Sequence, residues 1–326
     1  MPLYPLTFQP IFKERVWGGR NLESLYKKSL PAGVPIGESW EITDRPGDVS
    51  IISNGPLAGK DLHWLMEHHR AELLGSGSPT AQRFPLLIKI LDARETLSLQ
   101  VHPPAEKAAA LKGEPKTELW YVARADQGAE LFVGLKRGVN RQDFERKVRE
   151  GTVAECFHRV RVRAGDVMFL PSGRVHALGG GLVIFEIQQN SDTTYRVFDW
   201  NRVGLDGKPR DLHIAESLAS IDFGDFEPGL ITTTFSGKGA ARKRPLVDNP
   251  LFSVAAFELP LKETLTLSSG KAQIIAALSG EIIAGHQTNR VALAPGQFCL
   301  IPAALQGVTL QSVSPSNFLL IQPGPF

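Results

Sequence analysis

Cysteine is nearly absent from this chain. Cys156 and Cys299 are the two present in 326 residues. Two are too few for a disulfide framework, which points to a reducing compartment. An excess of one charge is missing too, since 36 Lys and Arg stand against 34 Asp and Glu, a net charge of +2. That balance argues against a surface built for nucleic acid. The run Arg242-Lys243-Arg244 is short and reads as part of a solvated linker. No apolar stretch reaches membrane-spanning length, and Met1-Pro2-Leu3-Tyr4-Pro5 does not lead a basic segment into an apolar core. The expectation is a soluble, cytoplasmic protein with no nucleic-acid and no membrane partner. Nothing in the pattern specifies an oligomeric state.

What the chain does have is punctuation. Its 31 glycines and 23 prolines separate short β-rich runs: Ser50 to Ser53, Leu86 to Leu91, Leu119 to Ala123, Val167 to Leu170 and Leu182 to Gln188. This predicts a mainly β protein of barrels or sandwiches with helical insertions. Helices are expected at His63 to Leu74, Ala105 to Leu111 and Arg141 to Arg149. In the last, Phe144 and Val148 form an apolar stripe behind an Asn140 cap, a packing feature. The length suits one large or two moderate domains.

Near the C-terminus, Gly296-Gln297-Phe298-Cys299-Leu300-Ile301-Pro302 repeats the glycine-to-proline spacing of Gly165 to Pro171. Carried on, the register puts Ala304 where Gly173 was and Gly307 where His176 was. The division expected is a metal-binding catalytic domain over residues 1–235 and a metal-free C-terminal barrel over 246–326. Phe235 to Pro245 would be the linker.

The candidate chemistry lies in the first part. Leu97 to Val101 reads as a strand, so Gln100 and His102 leave the same face. Glu118 precedes a second strand. His176 follows a turn in which Pro171 fixes one backbone angle and Gly173 permits another. Two imidazoles with two oxygen donors suit Zn²⁺, and also Fe²⁺, Co²⁺ or Mn²⁺. The other six histidines lack this context. His63, His68 and His69 share a helix whose core contacts are Trp64, Leu65 and Met66. His158, His213 and His286 have no second ligand nearby in sequence.

The glycine-proline-glycine-histidine turn resembles the second motif of cupins. LSLQVHPP, KTELWYV, LPSGRVHALGGG and QQNSDTTYRVFDWNR resemble type I phosphomannose isomerases, as do PIFKERVWGG and GESWEI near the N-terminus. The similarity covers about the first 215 residues. It implies cupin-type jelly-roll barrels, the second degenerate, and one Zn²⁺ per chain on Gln100, His102, Glu118 and His176. It further implies a catalytic arginine at Arg196, with Asp192 also in place. Ser98, Lys89 and Lys116 match positions that line a sugar-phosphate pocket. Glu186 is expected to face the same cavity. One motif departs: some members carry a histidine shortly after the GESWE run, where this chain has Thr43-Asp44-Arg45.

The activity implied is interconversion of mannose 6-phosphate and fructose 6-phosphate through an enediolate. That chemistry needs a base near C1 and C2 and positive charge near the developing oxyanion. Arg196 stays protonated, so it steadies charge rather than acting as base. Lys116, Glu186, Asp192 and a water on the metal stay open as the proton carrier. Two other classes compete: another metal-dependent cupin enzyme such as an oxygenase, and a non-catalytic sugar-phosphate-binding module.

Overall fold

The short β-rich runs become four main antiparallel sheets, packed as two sandwiches, and the interior of the first sandwich carries the site. A computed structural model describes residues 2–75, 80–237 and 241–325. In the first part, strands β1 (Ile11–Gly19), β2 (Ile36–Ile42), β3 (Asp44–Arg45), β4 (Asp48–Val49), β5 (Leu86–Ala93), β6 (Leu99–Val101) and β7 (Glu118–Ala125) come first. They are followed by β8 (Glu130–Leu135), β9 (Phe157–Arg161), β10 (Val167–Leu170), β11 (His176–Leu178), β12 (Leu182–Gln189) and β13 (Tyr195–Phe198). A six-stranded sheet runs β1-β2-β5-β12-β7-β10, and a five-stranded sheet runs β13-β6-β11-β8-β9.

The second part adds β14 (Arg242–Asp248), β15 (Phe252–Leu259), β16 (Thr264–Thr266), β17 (Gln273–Ser279) and β18 (Ile282–His286). It ends with β19 (Asn289–Leu293), β20 (Phe298–Ile301), β21 (Thr309–Ser312) and β22 (Ser316–Pro323). These form a five-stranded sheet, β14-β15-β22-β17-β20, and a four-stranded sheet, β16-β21-β18-β19. The mainly β, jelly-roll expectation agrees with this plan.

Central strands β5 and β12 are buried on nearly every residue because both of their faces are covered. On one face Leu86, Ile88, Ile90, Phe185 and Ile187 pack with Phe252, Phe298 and Phe318 of the second part. On the other, Leu91 and Ile184 pack with Trp120, Leu131 and Met168 inside the first sandwich. Alternation therefore turns Lys89, Glu118 and Glu186 toward that first interior. Polar groups placed so deep need partners, which is the origin of the site.

Differences from the sequence reading have local causes. Ser50 to Ser53 is no strand: Ile51 and Ile52 make isolated bridges only. Strand β6 begins at Leu99, not Leu97. Helix α1 (Asn21–Tyr26) has no side-chain cap and was not expected. Helix α2 (Leu62–Leu74) begins where Asp61 accepts from Trp64 N–H. Helix α3 (Ala105–Ala108) is one turn, shorter than expected. Helix α4 (Arg141–Glu150) has the Asn140 cap and buries Phe144, as expected. Helix α5 (Ile214–Ser220) is again uncapped by any side chain and was not expected. Of the expected linker, Arg242 to Pro245 belong to β14, while residues 238–240 lie outside the described residues.

Candidate metal centre and active site

Three elements bring the cluster together. Strands β6 and β11 pair with Gln100 opposite His176. Glu118 opens β7 opposite Leu170, the residue before the Pro171 turn. Gly173 takes φ +90 there, and its N–H donates to the His102 carbonyl at 2.9 Å, tying the turn to the second histidine. His102, Glu118 and His176 are buried, with ligating atoms all within 4.8 Å of one another. The Gln100 amide stands 3.3 Å from His176 Nε2. A half-turn of that amide exchanges its NH₂ for its oxygen.

The donor set fits a metal ion. His102 Nδ1 donates to the Thr193 carbonyl at 2.8 Å and His176 Nδ1 to the Arg174 carbonyl at 2.9 Å. A carbonyl only accepts, so each neutral ring carries its lone pair at Nε2. Those lone pairs point at a carboxylate: His176 Nε2 is 3.2 Å from Glu118 Oε1 and His102 Nε2 is 3.6 Å from Oε2. Lys116 Nζ approaches Oε2 at 2.8 Å, yet neither buried Glu118 oxygen receives a well-directed hydrogen bond. Lys116 Nζ, also 3.3 Å from His102 Nε2, serves that one edge. His176 Nε2 and Glu118 Oε1 still face each other as acceptors, which is costly in a dry site unless a cation lies between them.

Electrostatics follow from the same packing. Burial, then the Lys116 charge, pushes His102 down to about 3 against the pull of Glu118. Burial likewise lowers His176. Glu118 lies well below the usual carboxylate range: burial opposes this, but Lys116 and His102 outweigh it. Lys116 is raised, since Glu118 and Glu186 overcome its desolvation. Burial raises Glu186, which Lys116 opposes and Glu118 reinforces. Both imidazoles are thus neutral and Glu118 ionised, the protonation states that ligands need.

Beside the cluster opens a cavity of about 560 Å³ lined by Lys89, Ser98, Gln100, Lys116, Glu186, Asp192 and Arg196, among others. Every residue anticipated for the site is therefore in the cluster or on this wall. Arg196 forms no ion pair with Asp192. Its Nη1 donates to the Asp211 carbonyl at 2.8 Å and its buried Nε has no partner. Burial, then Arg210, lowers its pKa.

Sequence reasoning missed other members of the wall. Arg15 Nε donates to Glu38 Oε1 at 2.7 Å, and Trp40 Nε1 donates to Glu38 Oε2 at 2.6 Å. Lys89 Nζ lies 3.6 Å from Glu38 and 3.4 Å from Glu186, whose Oε1 accepts from Trp120 Nε1 at 2.9 Å. Burial opposes ionisation of Glu38, but Lys89 and Arg15 bring it down to about 2. At the rim, Asp199 binds both Arg202 and Arg210, at 2.9 and 2.6 Å. The charge of Arg15 and Glu38 inside otherwise strand-like motifs was the available signal. Arg210 offered none, because only the turn at Gly204 to Lys208 returns it to the cavity.

A double β-sandwich with a buried His-Glu-His cluster at a charged cavity defines a class: metal-site enzymes of the jelly-roll type. A family profile described as "Phosphomannose isomerase type I, catalytic domain" matches residues 6–135. The mannose-6-phosphate isomerase of Streptococcus mutans is 37% identical over 256 residues, which are 78% of this chain and 79% of that protein. A mannose-6-phosphate isomerase of Bacillus subtilis is 40% identical over 224 residues, 68% of this chain and 69% of that one. The crystal structure of a Bacillus subtilis mannose 6-phosphate isomerase superposes with TM-score 0.90 at 29% identity, covering 98% of this chain and 99% of that one. The chain belongs to the type I phosphomannose isomerase family.

Proposed function

We propose that this chain interconverts mannose 6-phosphate and fructose 6-phosphate, holding one Zn²⁺ on Gln100, His102, Glu118 and His176. The observation that carries the reading is the His102–Glu118–His176 cluster set against the charged cavity. Only Glu118 among those ligands is anionic, so the centre keeps net positive charge. When bound, the ion supplies that charge to the C1 and C2 oxygens of the open-chain sugar.

The chain's own residues do the rest. Arg196, whose Nε has no partner, holds the developing oxyanion and, always protonated, takes no proton itself. Lys116, Glu186 and Asp192 line the cavity and are the side chains that can carry the proton from one carbon to its neighbour. Ser98 and Lys89 hold substrate oxygens. At the rim Arg202 and Arg210 bind the single Asp199 carboxylate while Arg196 has no ion pair among the described residues, an excess of cations that favours a phosphate ester.

The division at residues 235–246 is part of the same proposal, supported by the way each pair of sheets takes its strands from its own stretch of chain. So is a cytoplasmic location. Among the described residues, no helix is long and apolar enough to cross a membrane. A coupled assay with mannose 6-phosphate tests the function. Turnover is expected to vanish with chelator and return with Zn²⁺. Absence of fructose 6-phosphate from metal-replete protein would sink it.

A further inference from the structure

Strand β2 has two chemical faces. Glu38 and Trp40 bond to each other on the catalytic side, while Ser39 and Glu41 bond to each other on the other. On that second side, between the residue stretch after α1 and strand β19, lies a separate cavity of about 400 Å³. Its floor is an ion pair, Lys28 Nζ to Glu41 Oε1 at 2.7 Å, with the side chains 8% and 6% exposed. Taking two charges out of water costs free energy that apolar residues of the same volume would not. The sandwich–sandwich core beside it is apolar and has no use for the pair.

The pair is also incompletely used. An ammonium has three N–H donors, and Glu41 takes one. Glu41 Oε2 receives no hydrogen bond from the described residues, whereas Oε1 takes both the Lys28 and the Ser39 contacts. Donor and acceptor thus stand side by side, the arrangement that a hydroxyl group completes by donating and accepting at once. At the rim of the cavity are Lys27 and Arg290, exposed, with no carboxylate of the described residues within ion-pair distance. Three cations against one anion favour an anionic ligand, and the volume suits a small one.

We infer that this cavity is a second binding site for a small phosphorylated polyol, its hydroxyls on Lys28 and Glu41 and its phosphate at Lys27 and Arg290. Glu41 adjoins Trp40 along β2, and the Trp40 indole holds Glu38 at the catalytic cavity. Occupancy on one face of the strand is therefore felt on the other as a change in apparent KM. The inference needs no turnover and stands apart from the catalytic reading.

Titration calorimetry of the full chain with sorbitol 6-phosphate tests it. The doubly substituted Lys27→Ser, Arg290→Ser chain is expected to lose or weaken one binding event by about tenfold or more, the worth of two charge-assisted contacts. Its KM and kcat without sorbitol 6-phosphate stay within about twofold of the parent, because neither residue touches the catalytic cavity. Both positions are exposed, so the fold does not depend on them. If every binding event survives the double substitution unchanged, the inference is overturned. A chain without isomerase activity that still loses an event on substitution would defeat the catalytic proposal alone.

Discussion

In the first sandwich Glu118 opens β7 opposite Leu170 of β10; in the second, Gln273 opens β17 opposite Ile301 of β20. The strand order β5-β12-β7-β10 recurs as β15-β22-β17-β20. Gly165 and Gly296 enter the paired turns at φ +89 and +76. Both Glu118 and Gln273 are buried with an unsatisfied side-chain oxygen. Beyond the prolines the chains part. The first turn places its left-handed residue at Gly173, φ +90, and reaches His176 in extended strand. The second places it at Gly307, φ +67, the position the repeat assigns to a histidine. Gln273 Nε2 donates to the Ser268 carbonyl, so its amide is spent on main chain. What separates the halves is thus a backbone path, and a lone histidine would not restore the second centre.

The largest test removes the difference from the active side. His176→Ala should lose its metal nearly completely and turnover with it, because a four-ligand site short of one imidazole stays open. Elemental analysis showing unchanged metal in His176→Ala and His102→Ala would show the cluster to be no metal site. Next comes Arg196→Ala, for which kcat should fall about 10²–10³-fold with fold and metal intact and KM moving less. Arg196→Lys should recover only part, since the planar fork is lost. Near-normal kcat in folded, metal-replete Arg196→Ala would make this arginine a binding residue.

A smaller effect sharpens the comparison through pH, since the first sandwich holds a titrating row where the second offers an amide. Glu38 sits at about 2 in the folded chain against 4.5 unperturbed. A depressed carboxylate contributes stability that is present above the unfolded value and lost as pH falls through the folded one. The stability gap between parent and Glu38→Gln should therefore narrow as pH drops from 4.5 toward 2. A gap that stays constant in urea titrations across that window would contradict it. The smallest effect is Gly307→His. A Cβ there meets open space, but φ +67 disfavours any residue that carries a Cβ. The cost should be about 1 kcal/mol by denaturant titration, with metal content unchanged. A second ion bound by this variant would mean that backbone path is not what separates the halves.

Gln100, His102, Glu118 and His176 were legible because each stands at a strand end or after a proline-glycine turn, where local sequence dictates direction. Lys89 and Glu186 were expected from the family resemblance alone; alternation along β5 and β12, opposite each other in register, is what turns both inward. Arg15 and Glu38 were not, although their motifs were in view, because their role depends on β1 and β2 pairing beside β5 far along the chain. Arg242 to Arg244 looked like a solvated linker since nothing local reveals that β15 supplies a partner strand. The short helices α1 and α5 lack the side-chain caps that would have announced them.

The two ring-nitrogen bonds to Thr193 and Arg174 carry a consequence for descent. Both acceptors are peptide carbonyls, so the side chains at those two positions can change over generations without altering which nitrogen of His102 or His176 is free. Replacements there are silent to the ligands as long as the chain keeps its course. An insertion or deletion that turns either carbonyl away is not silent, even when every ligand is retained. Inheritance of this centre is therefore guarded by loop length as much as by residue identity.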